Sequence, residues 1–525
     1  MASGPFINVR QLLESRVEAT PHKDFLFDLD TDRVFTYKQF DKLVNHATSL
    51  LISLGIRKGD RVSLLLTNRA AYLIFYFACF KMGSWAVPVN ALLKTNEIGF
   101  IIVNSEAAAA VTQPDLYSGL VECRGRISSL RHVVLVSGGN NSVQISDPVA
   151  RYALPEDEDL RNEFDLLPTE IAPEDEAVII YTSGTTGSPK GVVLTHGNLL
   201  SNAQQIAQWL RLGTDDRALM IMPLFHVNAL MTTCLAALWA GGSVALAPRF
   251  SASQHWEIVR RYSVTYFGSV ATMLSILNHT HPNGLSEEAR SPGLRFALCG
   301  SAPVPVEVMK QFEALFNCPV IEGYGLSEST CRSTFNPPDE RRRPGSVGLP
   351  IGNEMKIFDE DDREMGDGAI GEIVLKGPNI MKGYYRNDEA TAQAFRSGWF
   401  HTGDLGYRDK DGFFYVVDRK SDMIIRGGEN IYPREIDEVL YRHPKVKDAA
   451  TIGVADPLYG EEVKSFVVLH SSSDATEDEI IEFCRQRLAD FKCPKTIEFL
   501  DDIPKGPTGK LLKRELALRR SKVES

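Results

Sequence analysis

The alternation of short apolar runs with amphipathic helical patterns constrains this chain most, because sheets covered by helices require that rhythm. Phe40, Leu43, Val44, Ala47, Leu50, Leu51 and Leu54 recur at steps of three and four, so they share one helical face. Thr36 with Gln39 has the form of a capping box ahead of that face, and Gly55 suits a left-handed helix end. A strand is expected over 61–66, a helix over 70–82 and a strand over 85–89. Further strands are expected at 132–136, 177–181, 243–246, 265–268, 295–298 and 320–321, mostly separated by helical patterns. The fold class predicted is α/β, with helices on both sheet faces. After about residue 356, strands at 372–375 and 413–417 lack helices between them and predict a small β subdomain. A break falls at 418–426. Beyond it, a helix (433–441), strands (449–454 and 465–469), a helix (477–489) and a basic tail form an α+β unit. At 525 residues the chain exceeds what one core supports, and the predicted domains are 1–418 and 419–525.

Charge and cysteine usage narrow the partners. The 57 basic and 68 acidic side chains leave a net charge of −11, which argues against nucleic-acid or anionic-membrane binding. The eight cysteines show no CxxC pairing and read as thiols of a reducing compartment. The most apolar stretch, 72–80, ends at Lys81 and is too short to cross a bilayer. Residues 1–10 lack a leader pattern and 522–525 are no peroxisomal address, so a cytoplasmic protein, with a homodimer as one option, is expected.

The stretch most informative about chemistry is Tyr181-Thr182-Ser183-Gly184-Thr185-Thr186-Gly187-Ser188-Pro189-Lys190-Gly191, which follows a predicted strand. Glycines let backbone N–H groups approach phosphate oxygens, hydroxyls add donors, and lysine adds charge. It is not a Walker A loop, because Pro189 and Gly191 flank the lysine where a helix would have to open. A polar surface loop would have the same composition.

The segment resembles the signature of the acyl-adenylate-forming superfamily of acyl-CoA synthetases, peptide-synthetase adenylation domains and beetle luciferases. Further matches follow in the family's order: Gly300-Ser301-Ala302-Pro303, Gly323-Tyr324-Gly325-Leu326-Ser327-Glu328, Trp399-Phe400-His401-Thr402-Gly403-Asp404, Asp418-Arg419-Lys420 and residues 504–510. The resemblance implies a large N-terminal domain of two α/β subdomains plus a β subdomain, and a small mobile C-terminal domain. It implies adenylation of a small carboxylic acid by ATP with Mg²⁺, then transfer to coenzyme A. The text around residues 401–430 is similar to carnitine/crotonobetaine-CoA ligases and related bacterial synthetases.

The resemblance also assigns roles. Lys510 matches the lysine bridging carboxylate and α-phosphate, which repel each other unless a cation intervenes. Glu328, with Thr182, matches the magnesium contacts; one carboxylate plus phosphate oxygens suits that ion. Ser183, Gly184, Thr185, Thr186, Gly187 and Lys190 match the phosphate loop, and Ser327 keeps the hydroxyl where relatives more often carry threonine. Asp404 and Arg419 match the ribose contacts; Gly300, Ala302, Pro303, Glu322, Gly323 and Tyr324 match the adenine slot, with Tyr324 stacked on the base. His226 matches the residue bordering the carboxylate and the thiol path. Asn228, Met231, Thr232 and Gly325 are candidates for the acid pocket. Gly427 and Gly428 match a loop presented to pantetheine after the C-terminal domain rotates, with Ser421 at the hinge, where many relatives have Asp or Lys. The lysines of 491–495 could meet CoA phosphates, though solvated surface charge is the simpler reading. Alternatives are an acyl-AMP ligase loading a carrier protein, an aryl-CoA ligase, a luciferase-like oxygenase or a non-catalytic nucleotide-binding scaffold.

Overall fold

Thr36 caps the helix Tyr37–Ser53 in the predicted manner: its hydroxyl accepts from the Gln39 N–H at 3.2 Å, and the Gln39 side chain accepts from the Thr36 N–H at 2.9 Å. The reciprocal pair satisfies two helix-end donors. At the other end Gly55 takes φ 76°, a left-handed conformation that costs a glycine little. The computed structural model describes residues 6–124, 128–136, 149–155, 169–182, 189–301, 304–470, 473–506 and 511–519.

Two sheets carry the large domain. One runs, in spatial order, Gly383–Tyr384, Lys190–Thr195, Glu176–Thr182, Trp85–Pro88, Arg61–Leu65, Ala109–Thr112, His132–Val136 and Ala150–Tyr152. The first two strands are antiparallel to their neighbours and the rest are parallel. The other sheet runs Val320–Glu322, Phe296–Cys299, Tyr266–Ser269, Arg217–Met220, Ser243–Leu246, Asp24–Asp28 and Arg33–Thr36. Every residue of the helix Ala70–Met82 is buried, in a core that includes side chains of both sheets. That is why the helix reads as apolar all round rather than striped. Its Lys81 is held by Asp41 at 2.6 Å.

A third sheet contains Glu354–Phe358, Gly371–Lys376, Trp399–Arg408, Phe395–Arg396 and Phe414–Arg419. The β subdomain is therefore present, but a short helix, Asp388–Ala394, interrupts the helix-free run that the sequence led us to expect; Asn387 caps it. Past Arg419 the chain builds a separate sheet from Ile424–Arg426, Glu429–Ile431, Val446–Asp456, Gly460–Leu469 and Thr496–Phe499. This sheet has its own apolar clusters, distinct from the large core. The helix expected over 477–489 stops at Arg485, and a short turn at Asp490–Lys492 follows. Among the described residues no helix is long and apolar enough to cross a membrane.

Candidate active site

Ligands of parallel sheets bind beyond the carboxyl ends of the strands. Two such ends meet where Cys299 lies opposite Glu322 in the second sheet, followed by Gly300-Ser301 and Gly323-Tyr324. Both glycines are required by packing. A Cβ on Gly300 would lie 2.2 Å from Arg332 Nη1, and one on Gly323 would lie 2.4 Å from the Phe335 ring. Ser301 holds a left-handed φ of 71°, a strained conformation for a non-glycine residue.

The β subdomain supplies the facing group. Asp404 pairs with Arg419 across antiparallel strands, so both side chains reach the same face. The Tyr324 hydroxyl donates to Asp404 Oδ2 at 2.6 Å, and Arg419 Nε lies 3.4 Å from Oδ1. Burial, then the Asp404 charge, holds the Tyr324 phenol far above its ordinary value, so it remains a donor. The sequence expectation of Tyr324 as an adenine platform therefore acquires a second task, orienting the carboxylate.

Glu328 sits in the turn Ser327–Ser329, against which the strand Lys190–Thr195 packs. Its Oε1 accepts from the Tyr384 hydroxyl at 3.0 Å, and Lys190 Nζ stands 5.1 Å from the centre of the same ring. Burial raises the Glu328 pKa; Tyr384 and Arg419 oppose the rise and Asp404 adds to it, so the two clusters are electrostatic neighbours. A carboxylate in this position is a hard oxygen ligand of the kind magnesium takes. Thr182 pairs with Lys190 at the mouth of a hairpin, so the phosphate-type loop joins two antiparallel strands. Ser183, Gly184, Thr185, Thr186 and Gly187 of that loop, with Ala302, Pro303 and Lys510, lie outside the described residues.

Glu322 is 2% exposed, burial pushes its pKa up to about 7, and its Oε2 has no partner among the described residues. Arg434 of the C-terminal unit is its strongest favourable charge. Nearby, the Asn228 amide donates to Ser301 Oγ at 3.5 Å and its Oδ1 accepts from Thr232 at 2.8 Å. Met231 and Thr232 are buried, and Gly325 is sealed against the Cys331 carbonyl, which a Cβ would approach to 1.9 Å. His226 keeps some surface open, but protein encloses it enough to depress its pKa to about 4. It is a neutral imidazole near pH 7.

Gly427 and Gly428 form the two-residue turn of a hairpin with φ 59° and 91°, the left-handed pair such turns demand. Both are exposed to solvent. The linking segment is pinned instead: Asp418 accepts from the Arg434 N–H at 3.0 Å, and Lys513 lies 3.7 Å from both Asp418 and Asp422. Ser421 is exposed and donates to Asp422 at 3.0 Å. Lys492 and Lys495 are engaged by Glu435 and Asp456 at 2.7 and 3.4 Å. The seven described cysteines are buried and unpaired. Tyr384 and Arg332 had no place in the sequence reading; only the fold reveals that they touch Glu328 and Gly323.

Comparison with known proteins decides the family. The AMP-binding enzyme profile matches residues 13–385, and the AMP-binding enzyme C-terminal domain profile matches 435–510. The chain belongs to the AMP-binding enzyme family. It is 36% identical to the sulfoacetate–CoA ligase of Cupriavidus necator, over 97% of each chain. It is 35% identical to the crotonobetaine/carnitine–CoA ligase of Citrobacter koseri, over 97% of this chain and 98% of that one. The crystal structure of ATP-bound MatB from Rhodopseudomonas palustris superposes with a TM-score of 0.88 at 27% identity, over 99% of this chain and 100% of that one. The chain is thus an AMP-forming acyl-CoA synthetase, an acid–thiol ligase that uses ATP and CoA.

Proposed function

We propose that the chain activates a small, polar carboxylic acid with magnesium-bound ATP, and that its two sequence units, 1–418 and 419–525, divide the half-reactions. The single observation that carries this reading is the pair of linked clusters, Tyr324–Asp404–Arg419 and Lys190–Tyr384–Glu328, at the carboxyl ends of the strands. In the first half-reaction a carboxylate oxygen attacks the α-phosphorus and pyrophosphate leaves. Lys510 and Lys190 neutralise the charges that meet there, and a preorganised donor of this kind supplies about 3 kcal/mol of barrier lowering. Asp404 accepts from the ribose diol, while Arg419 and the Tyr324 hydroxyl fix its carboxylate. Gly300, Ala302, Pro303, Glu322, Gly323 and Tyr324 wall the adenine. Magnesium bound at Glu328 and Thr182 would screen phosphate charge; no cluster of three or more metal-ligating side chains occurs among the described residues, which accords with an ion held mainly by phosphates.

In the second half-reaction the CoA sulfur attacks the acyl carbon and AMP leaves. A histidine whose pKa is about 4 is a poor acceptor for a thiol proton, so His226 shapes the thiol path rather than deprotonating it. Gly427 and Gly428 reach the site only if the C-terminal unit turns about the segment near Ser421. The relatives named for sulfoacetate and for crotonobetaine or carnitine act on small charged acids, which supports the substrate size. The chain is proposed to work in the cytoplasm, and a homodimer is compatible with the reading.

The test is an acid panel assayed for pyrophosphate release with and without CoA, and with a phosphopantetheinylated carrier protein in place of CoA. Acid-dependent release completed by CoA supports the assignment. Release independent of acid, or completion only by the carrier protein, overturns it.

A further inference from the structure

We propose that Arg332 selects an acid bearing a second anionic group, such as a carboxylate, sulfonate or phosphonate, in addition to the carboxylate that is activated. The inference rests on the ligase reading above and narrows its substrate.

Arg332 is 2% exposed and occupies the crevice between the two strand ends. Its Nη1 donates to the Gly323 carbonyl at 3.0 Å and abuts the Cα of Gly300 so closely that no side chain fits there. The backbone of Arg332 is fixed as well: its N–H donates to Asn202 Oδ1 at 3.2 Å and its carbonyl accepts from the Asn202 amide at 2.7 Å. The adjacent Cys331 thiol faces Asn228 Oδ1 at 4.0 Å, and the Asn228 amide donates to Ser301 Oγ at 3.5 Å, so Cys331, Asn228 and Ser301 are neighbours.

The guanidinium is under-partnered for its burial. Among the described residues no carboxylate lies within ion-pair distance, Nε has no hydrogen bond, and the Gly323 carbonyl is the one acceptor of the side chain. Phe335 offers its ring at 5.3 Å, a cation–π contact weaker than the penalty for burying an unpaired ion. Glu322 is the nearest acid to influence the site. Yet burial keeps its carboxyl partly protonated near neutrality, and Arg434 acts on it more strongly than Arg332 does. A purely structural arginine would be matched by a fixed carboxylate. Here no complementary charge pairs with the guanidinium among the described residues, and it lies beside Gly300 and Cys331, which adjoin Ser301 and the acid-pocket candidate Asn228. A ligand anion completes it.

The experiment measures pyrophosphate release by the full chain with matched pairs: propionate against malonate, sulfoacetate and phosphonoacetate, and butyrate against succinate. The wild type is expected to favour the doubly charged member in kcat/KM by about 100-fold, the scale of one buried charge contact. Arg332→Met should shrink that preference to within tenfold, mainly through KM, and Arg332→Lys should restore part of it. The best of the three anions identifies the group recognised. Equal or better use of propionate and butyrate by the wild type overturns the proposal, as does a loss in Arg332→Met that is the same for charged and uncharged acids. Calorimetric binding of malonate, sulfoacetate and propionate to the wild type in the presence of AMP reads selection without turnover. Tighter binding of the charged acids supports the role of Arg332, and equal binding overturns it. Absence of pyrophosphate release with every acid would instead defeat the ligase reading, leaving the binding comparison to decide Arg332.

Discussion

The nucleotide-facing side and the acid-facing side of the site differ in how their polar groups are partnered. On the first, Asp404 is held by Tyr324 and Arg419, and Glu328 by Tyr384. On the second, Arg332 retains a single side-chain bond, to a carbonyl, among the described residues. Preorganised groups lower the cost of binding a ligand that is always the same. Unpaired buried groups cost stability until a ligand supplies the partner, and that cost is what discriminates among ligands. The contrast separates a shared reaction from an individual substrate.

The sharpest way to break the contrast is at the catalytic lysine. Lys510→Ala is expected to reduce acid-dependent pyrophosphate release by about 100- to 1,000-fold or more. Thioester formation from supplied acyl-AMP should be largely retained, because the lysine is assigned to the first step alone. Equal loss in both assays would erase the division of labour. Next comes Asp404→Asn, which leaves Arg419 and the Tyr324 hydroxyl facing an amide. Steady-state kinetics should show kcat/KM for ATP falling by about 30- to 100-fold, with the KM for the acid little changed. A matching rise in the acid KM would mean that the two sides are one coupled network.

A smaller effect concerns Glu322. Its folded pKa of about 7 exceeds the ordinary glutamate value of 4.5, so the folded state binds the proton more tightly than the unfolded chain. Its contribution is therefore fully present below about 4.5 and is lost as pH rises toward 7. Relative to Glu322→Gln, the wild type should lose up to about 3 kcal/mol of unfolding free energy across that window, read by denaturant titration at several pH values. A flat difference would place a compensating cation closer to Glu322 than Arg434. The smallest expected effect is Gly428→Ala. It forces alanine into a left-handed turn at about 1–2 kcal/mol, with no clash within 4 Å. Slower thioester formation with unchanged adenylation would tie the exposed hairpin to the thiol step.

Local signals were legible in the sequence and long-range ones were not. The helix Tyr37–Ser53 was readable because cap, period and terminating glycine all lie within 20 residues of one another. The helix Ala70–Met82 was bounded correctly even though its surface is uniformly apolar, because Gly83 ends it in a left-handed conformation. The strand Asp24–Asp28 escaped notice although it forms a local hairpin with Arg33–Thr36, because its place in the sheet also depends on Ser243–Leu246, far away in sequence. Of the candidate site, Asp404, Arg419, Tyr324 and Glu328 were found through motif order, and the fold brings them together. Gly427 and Gly428 were found in the same way, and the structure sets them in the exposed turn of a hairpin. Arg332 sits in the run Ser329-Thr330-Cys331-Arg332-Ser333-Thr334, whose polarity resembles that of a surface loop. Only tertiary packing turns it into a buried charge. Tyr384 was silent for a similar reason: it joins the first sheet as a two-residue edge strand before it can meet Glu328.

The measurement that tests the central claim most directly is isotope exchange between pyrophosphate and ATP by the full chain, with acid present and CoA withheld. The account predicts exchange that depends on the acid, because the adenylate forms on the preorganised nucleotide side before any thiol arrives. Exchange that requires CoA, or that proceeds without acid, would contradict it.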